Sequence, residues 1–249
     1  MSNAGKNSEE HRSACDLWDH IPDKQMTEEL DAADHNSYDE ILRRVQSDRD
    51  RAVEMRGEAL GPFLVVNRGG RRPPIFWCFN NWFEPHLLAA FLPADQPLYS
   101  FVSFHRYTER WLLKGRLTDP LAQHLRDNWR CVDVAPPAVL AGNCQGAPIA
   151  EAMALQYAQT ECRMPRLVTL DYVPRRRYSG PYTMLFGEKS RFNPFLEQFD
   201  PRPSWVEDGM SPDIKFLSDA EHGTYFRRPH VAKTAGHLLA IVDGLMING

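Results

Sequence analysis

The sequence predicts an α/β fold: a mostly parallel central sheet with helices on both of its faces. Two observations predict it. From Gly61 onward, short apolar runs of strand length alternate with stretches of helical periodicity, the pattern of parallel strands joined by crossover helices. Between one such strand and helix stands Gly142-Asn143-Cys144-Gln145-Gly146, the form of a sharp turn that presents a nucleophile.

Residues 1–60 are polar and charged and read as an N-terminal extension, with one α/β domain over 61–249. The first twenty-odd residues are expected to be loose. Ser37-Tyr38-Asp39-Glu40 has the form of a capping box. With Ile41, Leu42 and Val45 behind it at helical spacing, it predicts an amphipathic helix over 38–56. Strands are then expected at Phe63–Val66 and Pro74–Phe79, with a turn at Arg68-Gly69-Gly70-Arg71 between them. A short helix over Pro85–Leu92 leads to a strand at Leu98–Phe104. A helix over Asp119–Trp129 leads to the strand Ala138–Ala141, which ends at the elbow. The helix Pro148–Gln159 begins with proline, which suits a first helical turn. Strands at Arg166–Leu170, Tyr182–Phe186 and Asp213–Leu217 precede a closing helix over Pro229–Ile247.

Bulk composition narrows the function classes. A chain of 249 residues, 43% hydrophobic, can bury one sizeable core, or two small ones at most. A formal net charge of −4 leaves no basic footprint for nucleic acid. No apolar run reaches membrane-spanning length, and the polar N-terminus lacks a signal peptide's apolar stretch. Five cysteines, an odd count without Cys-x-x-Cys spacing, argue against both a disulfide framework and a zinc site. The expectation is a cytoplasmic, reduced protein without metal.

The elbow turns a generic α/β fold into an α/β-hydrolase fold. Residues two before and two after its nucleophile must be small, and Gly142 and Gly146 meet that need. The following helix points its positive end at the Cys144 sulfur and favours thiolate. A buried cysteine between strand and helix is usually inert packing, but the framing glycines weigh towards catalysis. The base must follow the last strand, which selects His222 in Ser218-Asp-Ala-Glu-His-Gly223. His86, His105 and His124 precede the nucleophile, and His230 and His237 lie in or beside the final helix.

The acid has two stations, one after each strand that follows the elbow strand. Asp171 stands at the first. At the second, Gly187-Glu188-Lys189-Ser190 carries serine where an acid would commonly stand, so Asp171 is favoured and Glu188 held in reserve. The oxyanion hole needs two backbone N–H groups. Gln145 supplies one; the loop Asn80-Asn81-Trp82-Phe83, which lacks the usual glycines, is expected to supply the other from Asn80 or Asn81.

Three stretches carry a resemblance: Pro73-Pro-Ile-Phe-Trp77, Leu92-Pro-Ala-Asp-Gln-Pro-Leu-Tyr99, and Leu140-Ala-Gly-Asn-Cys-Gln-Gly-Ala-Pro-Ile-Ala-Glu-Ala-Met-Ala154. Together they resemble the thioesterase domains of non-ribosomal peptide and polyketide synthases, with elements in matching order over 61–247. The resemblance implies release of an acyl, polyketide or peptidyl chain from the phosphopantetheine arm of a carrier protein, by hydrolysis or by transfer or cyclisation. It implies no bound cofactor. It also implies the acid at Asp171 and the base in the Gly-Asp-His-like turn Ala220-Glu221-His222.

Two departures stand out. Most members of that family have serine where Cys144 stands. Many also insert a helical lid after the acid strand, whereas here only 172–180 intervene, which implies a reduced lid. Cover is then expected from the N-terminal helix or from 188–212, or else the site is open. Arg175-Arg176-Arg177, just past Asp171, is a possible contact for the pantetheine phosphate or an acidic carrier helix, although a solvated loop explains it equally well. Competing readings are a polyester-synthase-like acyltransferase, a carrier-independent esterase, and a non-catalytic hydrolase fold used for docking.

Overall fold

The computed structural model describes residues 32–108, 115–132, 135–161, 164–197, 200–202 and 211–247. The N-terminal stretch expected to be loose, and residues 198–199 and 203–210 of the expected cover, lie outside these residues.

Eight strands form one sheet in the order β1-β2-β4-β3-β5-β6-β7-β8. They are β1 (Glu58–Leu60), β2 (Phe63–Val66), β3 (Ile75–Phe79), β4 (Leu98–Val102), β5 (Val139–Asn143), β6 (Arg166–Leu170), β7 (Tyr182–Gly187) and β8 (Asp213–Leu217). Pairing is antiparallel at β1–β2 and β2–β4 and parallel from β4 to β8. Strands β2 to β5 are buried along their whole length, as apolar runs covered on both faces require.

The helices are α1 (Ala32–Val53), α2 (Glu84–Ala89), α3 (Thr118–Cys131), α4 (Ala147–Glu161) and α5 (His230–Ile247). Helix α3 buries Leu121, Leu125 and Trp129, residues four apart on one face. Trp129 meets Phe63, Phe76 and Tyr99 in an aromatic cluster with ring centroids 4.5–6.3 Å apart. None of the described helices is long and apolar enough to cross a membrane.

Two expectations for the N-terminal part are corrected. Helix α1 spans Ala32–Val53, so Ser37 lies inside it and the Ser37…Glu40 pattern does not mark its start. The sheet also begins ahead of Gly61: Glu58, Ala59 and Leu60 pair with Val65, Leu64 and Phe63 as β1. Ile41, Leu42 and Val45 of α1 are buried in the same core as the sheet.

The register positions the site. Cys78 pairs with Gly142, and Asn143 with Leu170, so the carboxyl ends of β3, β5 and β6 lie side by side. Gly187 pairs with Leu217, which brings the turn after β8 to the same edge. The strand order reverses between β3 and β5, and the crevice outside such a reversal is where open α/β sheets bind ligands.

Candidate active site

Cys144 opens a single turn of 3-10 helix, Cys144–Gly146, that runs into α4. Its φ is +46°, a left-handed value that is strained for a side-chain-bearing residue. The glycines are required by contact: a Cβ on Gly146 would lie 2.0 Å from the Cys78 carbonyl oxygen. One on Gly142 would lie 2.5 Å from the Gly146 oxygen. The thiol is part-exposed and free.

His222 Nε2 lies 3.9 Å from Cys144 Sγ, and His222 Nδ1 lies 2.9 Å from Asp171 Oδ2. The structure therefore brings Cys144, His222 and Asp171 into one relay. Asp171 also has a left-handed φ, +52°, and its side chain is fully buried. It accepts from Gly187 N–H at 3.3 Å, from Ser190 Oγ at 2.5 Å and from the Tyr225 hydroxyl. Burial works against a charged His222 ring, but hydrogen bonds to Asp171 and Cys144, with the negative charge of both, outweigh it. The result is an imidazole raised to about 9.

Glu188, the reserve acid, is exposed and accepts the backbone N–H of Asp219 at 3.1 Å, so His222 pairs with Asp171 instead. Ser190 is buried and bonded to Asp171. The second acid station, read from the sequence as vacated, thus supports the acid at the first. Neither Ser190 nor Tyr225 was foreseen, and no local pattern marks them.

Around the oxyanion loop both asparagines make bonds of another kind. Asn80 N–H donates to Glu84 Oε2 at 3.0 Å, and Asn81 Nδ2 donates to Glu84 Oε1 at 2.8 Å. Asn81 Oδ1 in turn accepts Phe83 N–H and Glu84 N–H at 3.0 and 3.2 Å. The backbone N–H of Asn81 also stabilises the Glu84 carboxylate. Both asparagines are thereby engaged in starting α2. Their signal was present as Asn81-x-x-Glu84, a capping-box pattern. Burial raises the Glu84 carboxyl above its usual range even against these donors. Gln145 N–H stands in the 3-10 turn that leads into α4, where backbone donors lack intrahelical acceptors.

A cavity of about 340 Å³ opens beside the sulfur. Phe104, Leu121, Ile149, Val173 and Phe192 make it mainly apolar, and His105, Arg176 and Glu151 add polar groups. Residues 191–194 and 197 form part of its wall, and the Phe192 ring stands 4.4 Å from the His222 ring. Among the described residues α1 contributes none to the wall; its Tyr38 packs edge-on against Phe104, which does. Of the two expected covers, the described one is therefore the segment after β7.

Glu151, buried in the cavity wall, accepts from Tyr172 Oη at 2.8 Å and from Arg175 and Arg176 N–H at 2.9 and 2.8 Å. It pins the loop after Asp171. Within the arginine run, Arg176 turns to Asp119 at 2.7 Å, while Arg175 and Arg177 are exposed. The run is not one uniform cationic patch.

No family model matches the chain, and no curated protein matches it. Among solved structures it is similar to the NocB thioesterase domain of the nocardicin cluster. That match has 15% identity and a TM-score of 0.54, and covers 72% of this chain and 97% of that one. The same domain in covalent complex with a fluorophosphonate nocardicin G analog matches at 15% identity and TM-score 0.53, over 72% and 98% of the two chains. The fold is that of an α/β-hydrolase. As in the expectation, its sheet is mostly parallel, and the elbow lies at the end of β5.

Proposed function

We propose that this α/β-hydrolase fold carries a thioester-acting hydrolase or acyl transferase that works through Cys144, His222 and Asp171. One observation carries the reading: a sulfur–imidazole–carboxylate relay with contacts of 3.9 and 2.9 Å, set beside an apolar cavity.

Asp171 holds Nδ1 of His222 and leaves Nε2 facing the sulfur, which favours a thiolate–imidazolium pair. The thiolate attacks the substrate's carbonyl carbon, a C–S bond forms, and the carbonyl oxygen takes the negative charge beside Gln145 N–H. The tetrahedral adduct collapses, its original C–S bond breaks, and His222 delivers a proton to the departing thiolate. The product is an acyl thioester on Cys144. Water, an amine or an alcohol then gives its proton to His222 and attacks the same carbon, and the Cys144 thiolate leaves.

Cysteine suits this substrate class. Exchange of sulfur for sulfur keeps the acyl group reactive, whereas serine would form a more stable oxoester. The carrier-borne substrate is the finer part of the proposal. It is supported by the sequence resemblance, by the fold shared with the NocB thioesterase domain, and by exposed Arg175 and Arg177 on the loop that follows Asp171.

Intact-mass analysis after incubation with an acylated carrier protein tests the reading. The expected result is an acyl adduct on Cys144, absent from Cys144→Ala. Equal acyl release by wild type and Cys144→Ala would sink it. A free acyl thioester that turns over as well as the carrier-bound one would instead favour a carrier-independent esterase.

A further inference from the structure

We propose that Glu84 is a positioning residue that ties the loop after β3 to the nucleophile elbow and so shapes the oxyanion hole, with Trp82 N–H as the loop's donor. The inference rests on the Cys144 reading above and deepens it.

A capping box at the start of α2 asks only that Asn81 and Glu84 satisfy each other's backbone donors. The Glu84 carboxylate reaches further. Its Oε2 takes Asn80 N–H at 3.0 Å and, 59 residues along the chain, Asn143 Nδ2 at 3.2 Å. Asn143 is 3% exposed, directly precedes Cys144, and accepts Trp77 Nε1 at 2.9 Å. One carboxylate thus holds both segments whose N–H groups must converge on a single oxygen. No helix cap needs the bond to Asn143.

The same bonds decide which loop donor remains. Asn80 N–H donates to Glu84 Oε2, Asn81 N–H is turned towards the same carboxylate, and Phe83 and Glu84 N–H donate to Asn81 Oδ1. Trp82 N–H is bonded to no described residue. An oxyanion hole needs two aligned donors, and loss of one costs on the order of 10²–10³-fold in kcat. Loosening Glu84 misaligns the loop donor and leaves the sulfur in place.

The test compares two reactions of one thiol in the full chain. Alkylation of Cys144 by iodoacetamide is a direct displacement with no oxyanion; acylation by octanoyl-N-acetylcysteamine generates one. In Glu84→Ala, and in Asn143→Ala, which cuts the link while leaving the α2 cap, kcat for acylation should fall by roughly 10²-fold. KM and the alkylation rate should stay within about threefold of wild type. Glu84→Gln keeps one acceptor oxygen and should fall about tenfold, the worth of one hydrogen bond; this variant decides if the alanine variants do not fold. Unchanged acylation in Glu84→Gln overturns the proposal, as does a parallel loss of alkylation and acylation. Absence of any acyl adduct on the wild type is a separate outcome that removes the Cys144 reading and this inference with it.

Discussion

Ser190 donates its hydroxyl to Asp171 across 2.5 Å, from the position after β7 where another hydrolase would keep its acid. A single carboxylate is thereby served by the two stations, one supplying the charge and the other a donor that holds it. Tyr225 approaches the same oxygen from the turn that carries His222, so the acid and the base are braced by one cluster.

Removing a donor from that cluster should weaken both fold and chemistry. Hydrogen bonds to charged groups contribute about 1.5–3 kcal/mol each. Ser190→Ala and Tyr225→Phe are expected to lower stability by about that much in denaturant unfolding. Each should also cut kcat for acylation roughly tenfold, because His222 then rests on a less firmly held partner. Wild-type kcat in both variants would count against the bracing.

How much of this was legible in the sequence depends on range. Strands Phe63–Val66, Arg166–Leu170 and Asp213–Leu217 were readable to the residue, because apolar runs between turn residues declare themselves locally. Cys144 was readable because packing forces glycine at 142 and 146. Strand β1 was not, since Glu58-Ala59-Leu60 carries no strand preference and exists by pairing with β2. Ser190 and Tyr225 lie 19 and 54 residues from Asp171, and only the folded sheet shows their purpose. The Asn81…Glu84 box was local and readable. The similar Ser37…Glu40 pattern falls inside α1.

His222, raised to about 9, gives a pH signature. The imidazolium must protonate the leaving thiolate, so the acylation rate should decline above about pH 9. A folded-state pKa above the unfolded value of about 6.5 stabilises the fold fully below pH ~6.5, and that stabilisation is lost as pH rises through about 9. The Tm advantage of wild type over His222→Gln should therefore shrink across that window. In Cys144→Ala the sulfur's contribution is gone, and NMR titration of His222 should give a lower pKa than in wild type. An unchanged value would mean that Asp171 alone sets it.

The elbow glycines give a steric prediction. Gly146→Ala drives a Cβ into backbone of β3, and Gly142→Ala drives one into the turn itself. Neither obstacle is a flexible side-chain tip. Each should cost about 3 kcal/mol or more, read as a fall in Tm or loss of soluble protein. A normally stable, active Gly146→Ala would mean that the elbow is built less tightly than described.

Arg175 and Arg177 bear on the carrier. Arg176 is already paired with Asp119, and both side chains are about a third exposed, 29% and 34%. That pair contributes at most about 1 kcal/mol, so Arg176→Ala should change Tm little. Arg175 and Arg177 are exposed on the loop after Asp171, and Arg175 also lines the mouth of the cavity. Attraction between them and an acidic carrier would act mainly on encounter and weaken with salt. Charge reversal at both positions should then raise KM for a carrier-bound substrate several-fold at low ionic strength. The KM of a free thioester should stay the same, and the difference should fade as salt is added. Equal effects on both substrates would mean that the charges act through the acyl pocket, whose wall includes Arg175, and no effect on either would make them a solvated loop.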